Sequence, residues 1–526
     1  MNSIKNNSPQ VWSFIPLKKL VTTIKGKKPK NLGKKSSVRT IPYITIKAFE
    51  KGIFEKYTDG IDSRLCNTDD VLIVWDGARS GLVGTGVSGA IGSTLAKINH
   101  QNLNSKYLFY FLQLKFDYIN KNPRGIGIPH VDPDIFWNIE FPLCSIHQQK
   151  VIVSKIEELF TKLEAGVASI KQTQEHLQTY QQALLKAAFE GKLTKNWRKQ
   201  QKELGNYDIS NKDLEDYIQI TSIILEEISE ERRKKWENLY IRKQKKKGRI
   251  PKNNNWKNNY KILESPNTND LPNLPFGWKW VFFDEIAELI PNAIKAGPFG
   301  STLKKSSYVK KGSNTYKIYG QEQVLRQNHK FGDYYINEDK YRKLKSCKVK
   351  PGDILISLVG TIGKVLILPK DCEDGIINPR LVKLSLDKRI IKPECIKYLL
   401  NSISAKTYFK FSSHGGTMDI LNLTIIKSLP IPLPPLKEQI KILDEINEKI
   451  SICNSILQYI NWNIKTSSLL KQSILSKAFT GGLLNEFNDF KLEETLNDEF
   501  EKKFPNKNKD VIYESSIKQK RLTDFE

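Results

Sequence analysis

Two short patterns in the sequence have residue types that could carry catalytic chemistry. The run from Gly84 to Gly89 (GTGVSG) fits the glycine spacing of a dinucleotide-binding loop, which needs a helix to open directly on it. No helical periodicity follows this run, and another strand is expected instead. Glu338 and Lys340, with Asp333 nearby, could gather on a metal ion as in a nuclease. Such triplets in polar loops are common by chance, so neither pattern by itself predicts an active site.

Other catalytic motifs are missing from the sequence. It contains no P-loop and no Asn-Pro-Pro-aromatic run of the kind expected in an amino-methyltransferase; the nearest strings are NPR at 122–124 and 378–380. None of the six histidines has a spacing that suggests a metal pair or the base of a nucleophile. The six cysteines include no C-x-x-C pair, which argues against a zinc cage or a disulfide framework. The sequence therefore predicts a binding protein without a metal or cofactor of its own.

The charge of the chain favours an anionic partner. Lys and Arg number 84 against 57 Asp and Glu, which gives a net charge of +27, and such an excess most often indicates nucleic acid. Part of it reflects a Lys- and Asn-rich composition, as in NNNWKNN at 253–259. The basic loop at 25–35 (KGKKPKNLGKK) suits phosphate oxygens, although it could equally be a solvated loop. No apolar run has the length of a signal peptide or a membrane span, so a cytoplasmic location is expected.

A long repeat organises the chain. Residues 147–193 return as residues 437–483, with corresponding positions 290 residues apart and no gap between the copies. Several residues are identical in both copies, among them Gln149/Gln439, Ile156/Ile446, Ala188/Ala478, Phe189/Phe479 and Gly191/Gly481. Each copy predicts one helix of about 42 residues and roughly 60 Å, ended by the glycines near its last residues.

Apolar residues recur every seven positions in both copies, which is the pattern of a coiled-coil seam. The predicted seam residues are Ile156, Leu163, Ile170, Leu177 and Leu184 in the first copy and Leu443, Ile450, Leu457 and Ile464 in the second. Because each helix follows its own domain in the chain, we predict that the two helices pair antiparallel.

Each predicted helix follows a domain in which short strands alternate with glycines and one helix, a mixture that indicates an α+β fold. DVLIVWDG (70–77) in the first domain matches DILISLVG (353–360) in the second, and KYL (106–108) matches KYL (397–399). Trp12 opens the first domain as Trp280 opens the second. The predicted order is a first domain, a long helix, an insertion, a second domain, a long helix and a polar tail, at residues 1–144, 145–195, 196–270, 271–434, 435–484 and 485–526.

The insertion is expected to contain a charged helix at Asp213–Lys247, followed by a linker from Pro251 to Asp270. Basic residues crowd the stretch from Arg232 to Lys252, where Glu237 is the one acidic residue. The sequence leaves two interpretations of this stretch open, a phosphate-tracking arm or a solvated tether.

Several strings resemble the specificity subunit of type I restriction-modification systems. PLPPLKEQ (432–439) resembles the entry of that family's conserved helices, and FPLCSIHQQ (141–149) is a more divergent version of it. AAFEGKL (187–193) and KAFTGGL (477–483) resemble the helix ends. LPNLPFGWKW (271–280) and AGPFGSTLKKSSY (296–308) resemble recognition-domain strings, and ERRKKWE (231–237) with PKNNNWK (251–257) resembles the linker of one branch.

This resemblance implies an α+β fold with two target-recognition domains in tandem pseudo-repeat, joined by two long conserved helices that form an antiparallel coiled coil. It implies that each domain reads one half of a bipartite DNA sequence and that the helices fix the distance between the halves. It also implies two methyltransferase subunits and endonuclease subunits as partners, which would carry S-adenosylmethionine, ATP and Mg²⁺. This chain would then be a non-catalytic DNA-binding subunit. Apart from the two linker strings, the insertion matches no part of the family pattern, and neither does the tail.

Loop residues of both domains are our candidates for DNA contacts. Those predicted to bind phosphate are Lys25, Lys27, Lys28, Lys34, Arg39, Lys304, Lys305 and Lys310. Those predicted to reach base edges, because Arg pairs with guanine and Gln with adenine in the major groove, are Arg79, Arg124, Gln321, Gln323, Arg326 and Arg380. Two other functions are kept as alternatives: a stand-alone DNA-modifying enzyme that uses Gly84–Gly89 or Glu338 and Lys340, and a coiled-coil adaptor that does not read DNA.

Overall fold

A computed structural model of the chain describes residues 12–125, 127–208, 211–249, 251, 253–412 and 421–485. The predicted tail from residue 486 onward lies outside the described residues. The chain forms two compact units, one of residues up to Lys171 together with those from Ile460, and the other of Gln172–Tyr459. Each unit combines one α+β domain with segments of both long helices.

The first domain contains short strands, most of them antiparallel, and three helices. The strands are β1 (Ser13–Pro16), β2 (Val21–Lys25), β3 (Leu32–Gly33), β4 (Ile41–Ile44), β5 (Tyr57–Thr58), β6 (Leu65–Cys66), β7 (Val71–Val74), β8 (Val83–Gly84), β9 (Gly89–Ile91), β10 (Leu95–His100) and β11 (Glu140–Leu143). The helices are α1 (Ile46–Lys51), α2 (Ser105–Lys121) and α3 (Pro133–Trp137). The sheets have the orders β1-β11, β2-β10-β7-β8 and β3-β5-β4-β9-β6, with β4 and β9 parallel.

The long helix α4 (Ile146–Phe189) follows, and then α5 (Lys195–Asp208) and α6 (Asn211–Lys246) form the insertion. The helix predicted at Asp213–Lys247 is therefore present. In the predicted linker, a short 3₁₀ helix forms at Asn255–Asn259.

The second domain repeats the topology of the first. Its strands are β12 (Lys279–Val281), β13 (Ile294–Ala296), β14 (Thr315–Tyr319), β15 (Tyr335–Asn337), β16 (Lys348–Val349), β17 (Ile354–Ser357), β18 (Val365–Ile367), β19 (Gly375–Ile377), β20 (Leu381–Leu384) and β21 (Ile431–Leu433). The helices from here on are α7 (Phe283–Ile286), α8 (Gln321–Arg326), α9 (Glu338–Lys343), α10 (Pro393–Asn401), α11 (Ile403–Ser412), α12 (Leu423–Lys427), α13 (Leu436–Phe479) and α14 (Gly482–Asn485). The sheet orders β12-β21, β13-β20-β17-β18 and β15-β14-β19-β16 match the first domain strand for strand, except for its extra β3.

The matching strings DVLIVWDG and DILISLVG contain equivalent strands, β7 and β17. Each is preceded by an Asp that pairs with a Lys on the neighbouring strand: Asp70 Oδ2 is 3.2 Å from Lys97 Nζ, and Asp353 Oδ2 is 3.8 Å from Lys383 Nζ. In the second domain both partners are almost fully buried, and burial raises the pKa of Asp353 and lowers that of Lys383. The sequence match therefore marks a shared ion pair at the start of a core strand.

Two other matches drawn from the sequence are displaced. The N-caps of α2 and α10 are Asn104 and Lys392, and the buried positions that follow keep the same spacing in both helices. These positions are Tyr107, Leu108, Phe111 and Leu112 in α2, and Cys395, Ile396, Leu399 and Leu400 in α10. The second KYL string therefore lies one helical turn later than the first. Similarly, Ser13 pairs with Leu143 as Lys279 pairs with Leu433, so Trp12 corresponds to Trp278 rather than to Trp280.

The two long helices, each of 44 residues, pair antiparallel as predicted. In the first unit the start of α4 packs against the end of α13, where Glu164 Oε1 accepts a hydrogen bond from Lys471 Nζ at 2.6 Å. In the second unit the end of α4 packs with the start of α13 in the core of the domain. Ile156 and Leu184 are buried, whereas the other predicted seam residues are half-buried. In the middle of α13 the residues that are almost fully buried are Cys453 and Ile460, which lie outside the predicted seam.

The repeated glutamines have one structural role. Gln149 Oε1 accepts from the backbone N–H of Asn104 and its Nε2 donates to Cys144 O, at 2.8 and 2.9 Å. Gln439 does the same with Lys392 N–H and with Pro434 O, both at 2.8 Å. Each glutamine is almost fully buried and ties the start of a long helix to a helix of its own domain. The attachment of each domain to its long helix therefore explains why both repeats have glutamine at this position.

Candidate nucleic-acid interface

Each domain brings several loops together at the ends of its parallel strands. A glycine after β2 or β13 donates its N–H to the start of the neighbouring strand, Gly26 to Leu95 O at 2.8 Å and Gly297 to Leu381 O at 2.9 Å. These glycines lie against the loop that follows β9 or β19, so closely that a Cβ at Gly297 would be 1.8 Å from Asn378 O. The basic loop at 26–40 and the loop at 297–314 therefore begin at equivalent places.

In the first domain, Lys25, one of four lysines predicted to bind phosphate, is held by an ion pair. Lys25 Nζ lies 2.6 Å from Asp76 Oδ2, and His130 Nδ1 lies 2.7 Å from Asp76 Oδ1. Burial acts to raise the pKa of Asp76, but the contacts with Lys25 and His130 outweigh it and leave this pKa below its ordinary value. Lys27 lies 3.9 Å from Asp62. The carboxylate of Asp76 thus fixes one cation at the base of the loop.

Two other candidates in this domain are engaged with protein groups. The Arg39 guanidinium donates to Asn31 Oδ1 and to Lys34 O, each at 3.0 Å, and so braces the loop from within. Arg79 forms a bidentate pair with Glu50, and its hydrogen bonds hold the pKa of Glu50 below the ordinary value. Either arginine would have to give up these partners to bind DNA with its full set of donors.

The remaining candidates of the first domain have exposed side chains. Lys28 and Lys34 extend from the basic loop. Arg124 exchanges two backbone hydrogen bonds with His130, at 3.0 and 3.1 Å, which leaves its side chain exposed beside the Asp76 network. Arg124 is thereby placed near the base of the loop that Lys25 starts.

In the second domain, four of the candidate residues line one cavity. It has a volume of about 480 Å³, a floor that includes Leu303 and Ile318, and two tyrosines, Tyr308 and Tyr334, in its wall. The candidates that line it are Lys305, Gln321, Gln323 and Arg380. They come from the loop after β13, from α8 and from the loop after β19, so the fold brings together residues that are far apart in the sequence. The prediction that Gln321, Gln323 and Arg326 lie in a loop was wrong, because these residues form α8.

The two glutamines in this cavity already have partners. Gln323 is almost fully buried; its Oε1 accepts from Gly320 N–H at 2.9 Å and its Nε2 donates to Phe331 O at 2.8 Å. Gln321 Nε2 donates to Val359 O. A base contact by the Gln323 amide would require its present hydrogen bonds to break, whereas Gln321 keeps its carbonyl oxygen available.

The other cations of this domain are exposed at the rim or beside it. Lys304 and Lys310 lie in the loop after β13 together with Phe299, whose exposed fraction is 85%. The Arg326 guanidinium stacks over Phe331 at 4.2 Å from the ring centroid. Arg380 donates its backbone N–H to Asn378 Oδ1 at 2.9 Å, and its side chain is exposed. The DNA contacts of all these residues stay predictions.

The structure adds residues that sequence reasoning missed. Asp76 and His130 belong to different loops and meet only after β7 and the segment before α3 are placed side by side. Tyr308, Tyr334 and Asn378 join the cavity of the second domain. The one sequence signal for Asn378 was the NPR string, and no local pattern marks the tyrosines as neighbours.

The two catalytic patterns have ordinary structural surroundings. The run Gly84–Gly89 connects β8 to β9, so a strand follows it and not a helix. Glu338 pairs with Arg342 on α9, with its Oε1 3.1 Å from Arg342 Nε. Over the described residues, no cluster of three or more His, Cys, Asp or Glu side chains is placed to share a metal ion. Within the same residues, no helix is long and apolar enough to cross a membrane.

Two equivalent α+β domains, each with basic loops at the same edge and each attached to one of two paired long helices, define a two-domain recognition protein. The family described as type I restriction modification DNA specificity domain matches residues 9–172 and 275–466. Because these matches cover more than half of the chain, it belongs to this family, and its two domains are DNA-recognition domains of a type I specificity subunit.

Relatives cover nearly the whole chain. The type I restriction enzyme MjaVIII specificity subunit of Methanocaldococcus jannaschii is 23% identical over 90% of this chain and 93% of its own. The EcoBI specificity subunit of Escherichia coli is 24% identical over 84% of this chain and 80% of its own. A solved structure concerned with complex assembly and conformational transition of the type I R-M system has a TM-score of 0.57 at 16% identity, over 90% of this chain and 99% of that one. This last likeness supports the fold.

Proposed function

We propose that each α+β domain binds one half of a split DNA sequence and that the paired helices set the number of base pairs between the halves. The observation that carries the proposal is the duplication itself. The two domains share strand order, core ion pair and helix attachment, while the loops at the ends of their parallel strands differ in sequence and contacts. A shared scaffold with unlike loops suits two readers of unlike half-sites, since base contacts specify and the scaffold only positions them.

The chain acts in this proposal as a subunit without its own active site. Two methyltransferase subunits dock on it and supply adenine methylation from S-adenosylmethionine, and endonuclease subunits that use ATP and Mg²⁺ join the complex for cleavage. The support for these partners is family membership, together with the ordinary structural surroundings of Gly84–Gly89 and Glu338 described above.

The test is to co-express the chain with its neighbouring methyltransferase in a host free of DNA methylation and to map modified adenines across the genome. A split motif with a fixed gap is the expected result. Methylation without any shared motif, from a complex that is stable on purification, would overturn the proposal and favour the adaptor function. Methyl transfer by the isolated chain incubated with labelled S-adenosylmethionine and DNA would favour the stand-alone enzyme.

A further inference from the structure

We propose that the basic end of α6 with the turn after it, residues 242–249, is a third DNA-binding surface of this chain, which holds the phosphate backbone outside the two half-site readers. This segment reads RKQKKKGR and contains no acidic and no apolar residue. All its basic side chains are exposed, namely Arg242, Lys243, Lys245, Lys246, Lys247 and Arg249. The inference goes beyond the proposed function and rests on it in one respect, that the second domain lies on DNA.

From Arg232 onward, the basic residues of α6 and of the turn after it fall into two groups with different roles. Those in its middle are bound to the second domain or to acidic neighbours: Arg232 donates to Glu285 O at 3.3 Å and Lys235 to Leu289 O at 2.6 Å, and Arg233 pairs with Glu237 at 3.3 Å. Residues 242–249, by contrast, present their charges to solvent. The basic stretch thus has two parts: residues 232–235 attach α6 to its surroundings, and residues 242–249 are exposed.

Residues 242–249 follow the part of α6 that runs along the second domain toward its candidate DNA-binding loop. Along α6, Ile228 packs in the core of that domain, Arg232 reaches Glu285, and Lys235 reaches Leu289. Arg242 then lines a groove of about 800 Å³ together with Ile294, the first residue of β13. The helix therefore follows the surface of the domain toward β13, which continues into the loop that carries Lys304, Lys305 and Lys310.

Aromatic packing holds this end of α6 in place. Trp236 and Tyr240 stack with Trp256 from the following segment; the rings of Tyr240 and Trp256 lie 5.0 Å apart and nearly parallel, and Tyr260 packs against Trp236 at 5.4 Å. Lys257 Nζ also lies 3.4 Å from Glu237. The segment after the helix thus folds back on it, so the basic residues are presented by an ordered support and not by a free tether.

The composition of residues 242–249 favours DNA over an acidic protein surface. Protein interfaces are depleted of Lys at their centres and enriched in aromatic and apolar residues, and this segment has no such residue to bury. Lys and Arg without an apolar centre suit phosphate oxygens, whose neutralisation releases bound counterions.

The experiment measures the salt dependence of DNA binding by the complex of the chain with its methyltransferase. Binding is followed from low to moderate salt on two duplexes of equal length, one with the mapped methylation motif and one with that motif scrambled. The variant replaces four exposed lysines of the segment: Lys243→Gln, Lys245→Gln, Lys246→Gln and Lys247→Gln. Its matched control removes the same charge elsewhere on the same unit: Lys343→Gln, Lys345→Gln, Lys370→Gln and Lys388→Gln.

The expected result is a loss of affinity that is equal on both duplexes. The slope of log K against log salt is negative, and removing one phosphate interaction lowers its magnitude by about 0.9, so removing two to four of them lowers the magnitude by roughly 2 to 4. The methylated motif should stay unchanged, and the control should keep the slope of the unmodified complex. Melting temperatures of variant and control are measured to check that both are folded.

Three results would overturn the inference. First, the variant could have the same slope as the unmodified complex. Second, the control could reduce the magnitude of the slope as much as the variant does. Third, the variant could lose a protein subunit while its DNA binding stays the same. The last result would assign the segment to protein docking. Failure of the proposed function is recognised separately, because it is the absence of a split motif from the unmodified complex, whereas this inference is decided by the slope.

Discussion

Gly26 and Gly297 occupy the same place in the two domains, although the loops that follow them differ. In each case the residue sits against a backbone oxygen of the loop after the parallel strand, Gly92 O in the first domain and Asn378 O in the second. The absence of a side chain is what allows two loops to meet at one edge. These glycines mark the equivalent positions at which the two candidate DNA-binding loops begin.

Gly297→Ala should therefore destabilise the second domain. A Cβ there would lie 1.8 Å from Asn378 O, and relief of this clash must displace the loop that carries Arg380. We expect a loss of about 1–3 kcal/mol or more in the free energy of unfolding, measured by chemical denaturation, and weaker methylation of the mapped motif. Gly26→Ala, with 2.2 Å to Gly92 O, should behave alike in the first domain.

Gly312→Ala is the matched control, since nothing lies within 4 Å of the added carbon. Its effect should stay below about 1 kcal/mol in either direction. Equal effects of Gly297→Ala and Gly312→Ala would contradict the role assigned to the close approach.

Asp76 should give the first domain a pH-dependent contribution to stability. Its pKa is below the ordinary value in the fold because of Lys25 and His130, so the ionised form is favoured by folding. The resulting stabilisation is present above the unfolded pKa, near 3.9, and is lost as the pH falls through the lower folded value. The difference in melting temperature between the unmodified protein and Asp76→Asn should be largest above about pH 5 and shrink toward pH 3. A difference that grew on acidification would contradict this sign.

The role of single candidate residues was the part that sequence reasoning could least resolve. Arg39 and Gln323 have the residue types of DNA contacts, yet in the structure their polar atoms brace loops of their own domain. Lys305 and Arg380 were chosen on the same grounds; they line the cavity that Gln323 also lines, but their side chains are exposed. Each pair combines one residue chosen for phosphate and one chosen for base edges, although Gln323 lies on helix α8 and not in a loop as predicted. What separates them is the direction of the side chain, which depends on contacts between distant strands.

The long helices were predictable because their signal is periodic and repeated. Ile156 and Ile446, 290 positions apart, are both fully buried, and the heptad pattern alone placed the first of them in the seam. The KYL match was displaced by one turn because a three-residue string carries too little periodicity to fix a register. Burial at Tyr107 and Cys395 fixes it, and those two residue types do not resemble each other.

Burial along the seam predicts unequal costs of truncation. Ile156→Ala and Ile446→Ala each empty a fully buried site and should lower the free energy of unfolding by about 2–5 kcal/mol. Leu177→Ala removes a side chain that is only half-buried in the middle of the pair and should cost about 1 kcal/mol. Denaturant titration of the three variants gives the comparison. A cost at Leu177 as large as at Ile156 would mean that the middle of the helix pair is buried by something other than the partner helix.

The two units are joined in the chain by α4 and α13, each of which begins in one unit and ends in the other. The pairing of Glu164 with Lys471 shows which segments face each other in the first unit. If the helices set the gap between two half-sites, then their length is a parameter of DNA specificity that can be changed without altering either recognition domain.

Deleting seven residues from each helix, 167–173 and 462–468, should shorten the gap in the methylated motif. A heptad keeps the apolar seam in phase, and it removes about 10 Å of helix, which corresponds to roughly 3 base pairs at 3.4 Å each. Mapping modified adenines with the doubly shortened chain should therefore show the original half-sites separated by a gap about 3 base pairs shorter, with weaker methylation because the half-sites are also rotated around the DNA.

The deletion of 167–173 alone is the control for this experiment. It leaves α13 at full length, so the Gln149 and Gln439 attachments can no longer both stay in register with the helix pair, and methylation of any split motif should be lost. An unchanged gap in the doubly shortened chain would show that the distance between half-sites is set by something other than the helix pair. A shortened gap would show that the length of the two helices determines the number of base pairs between the half-sites.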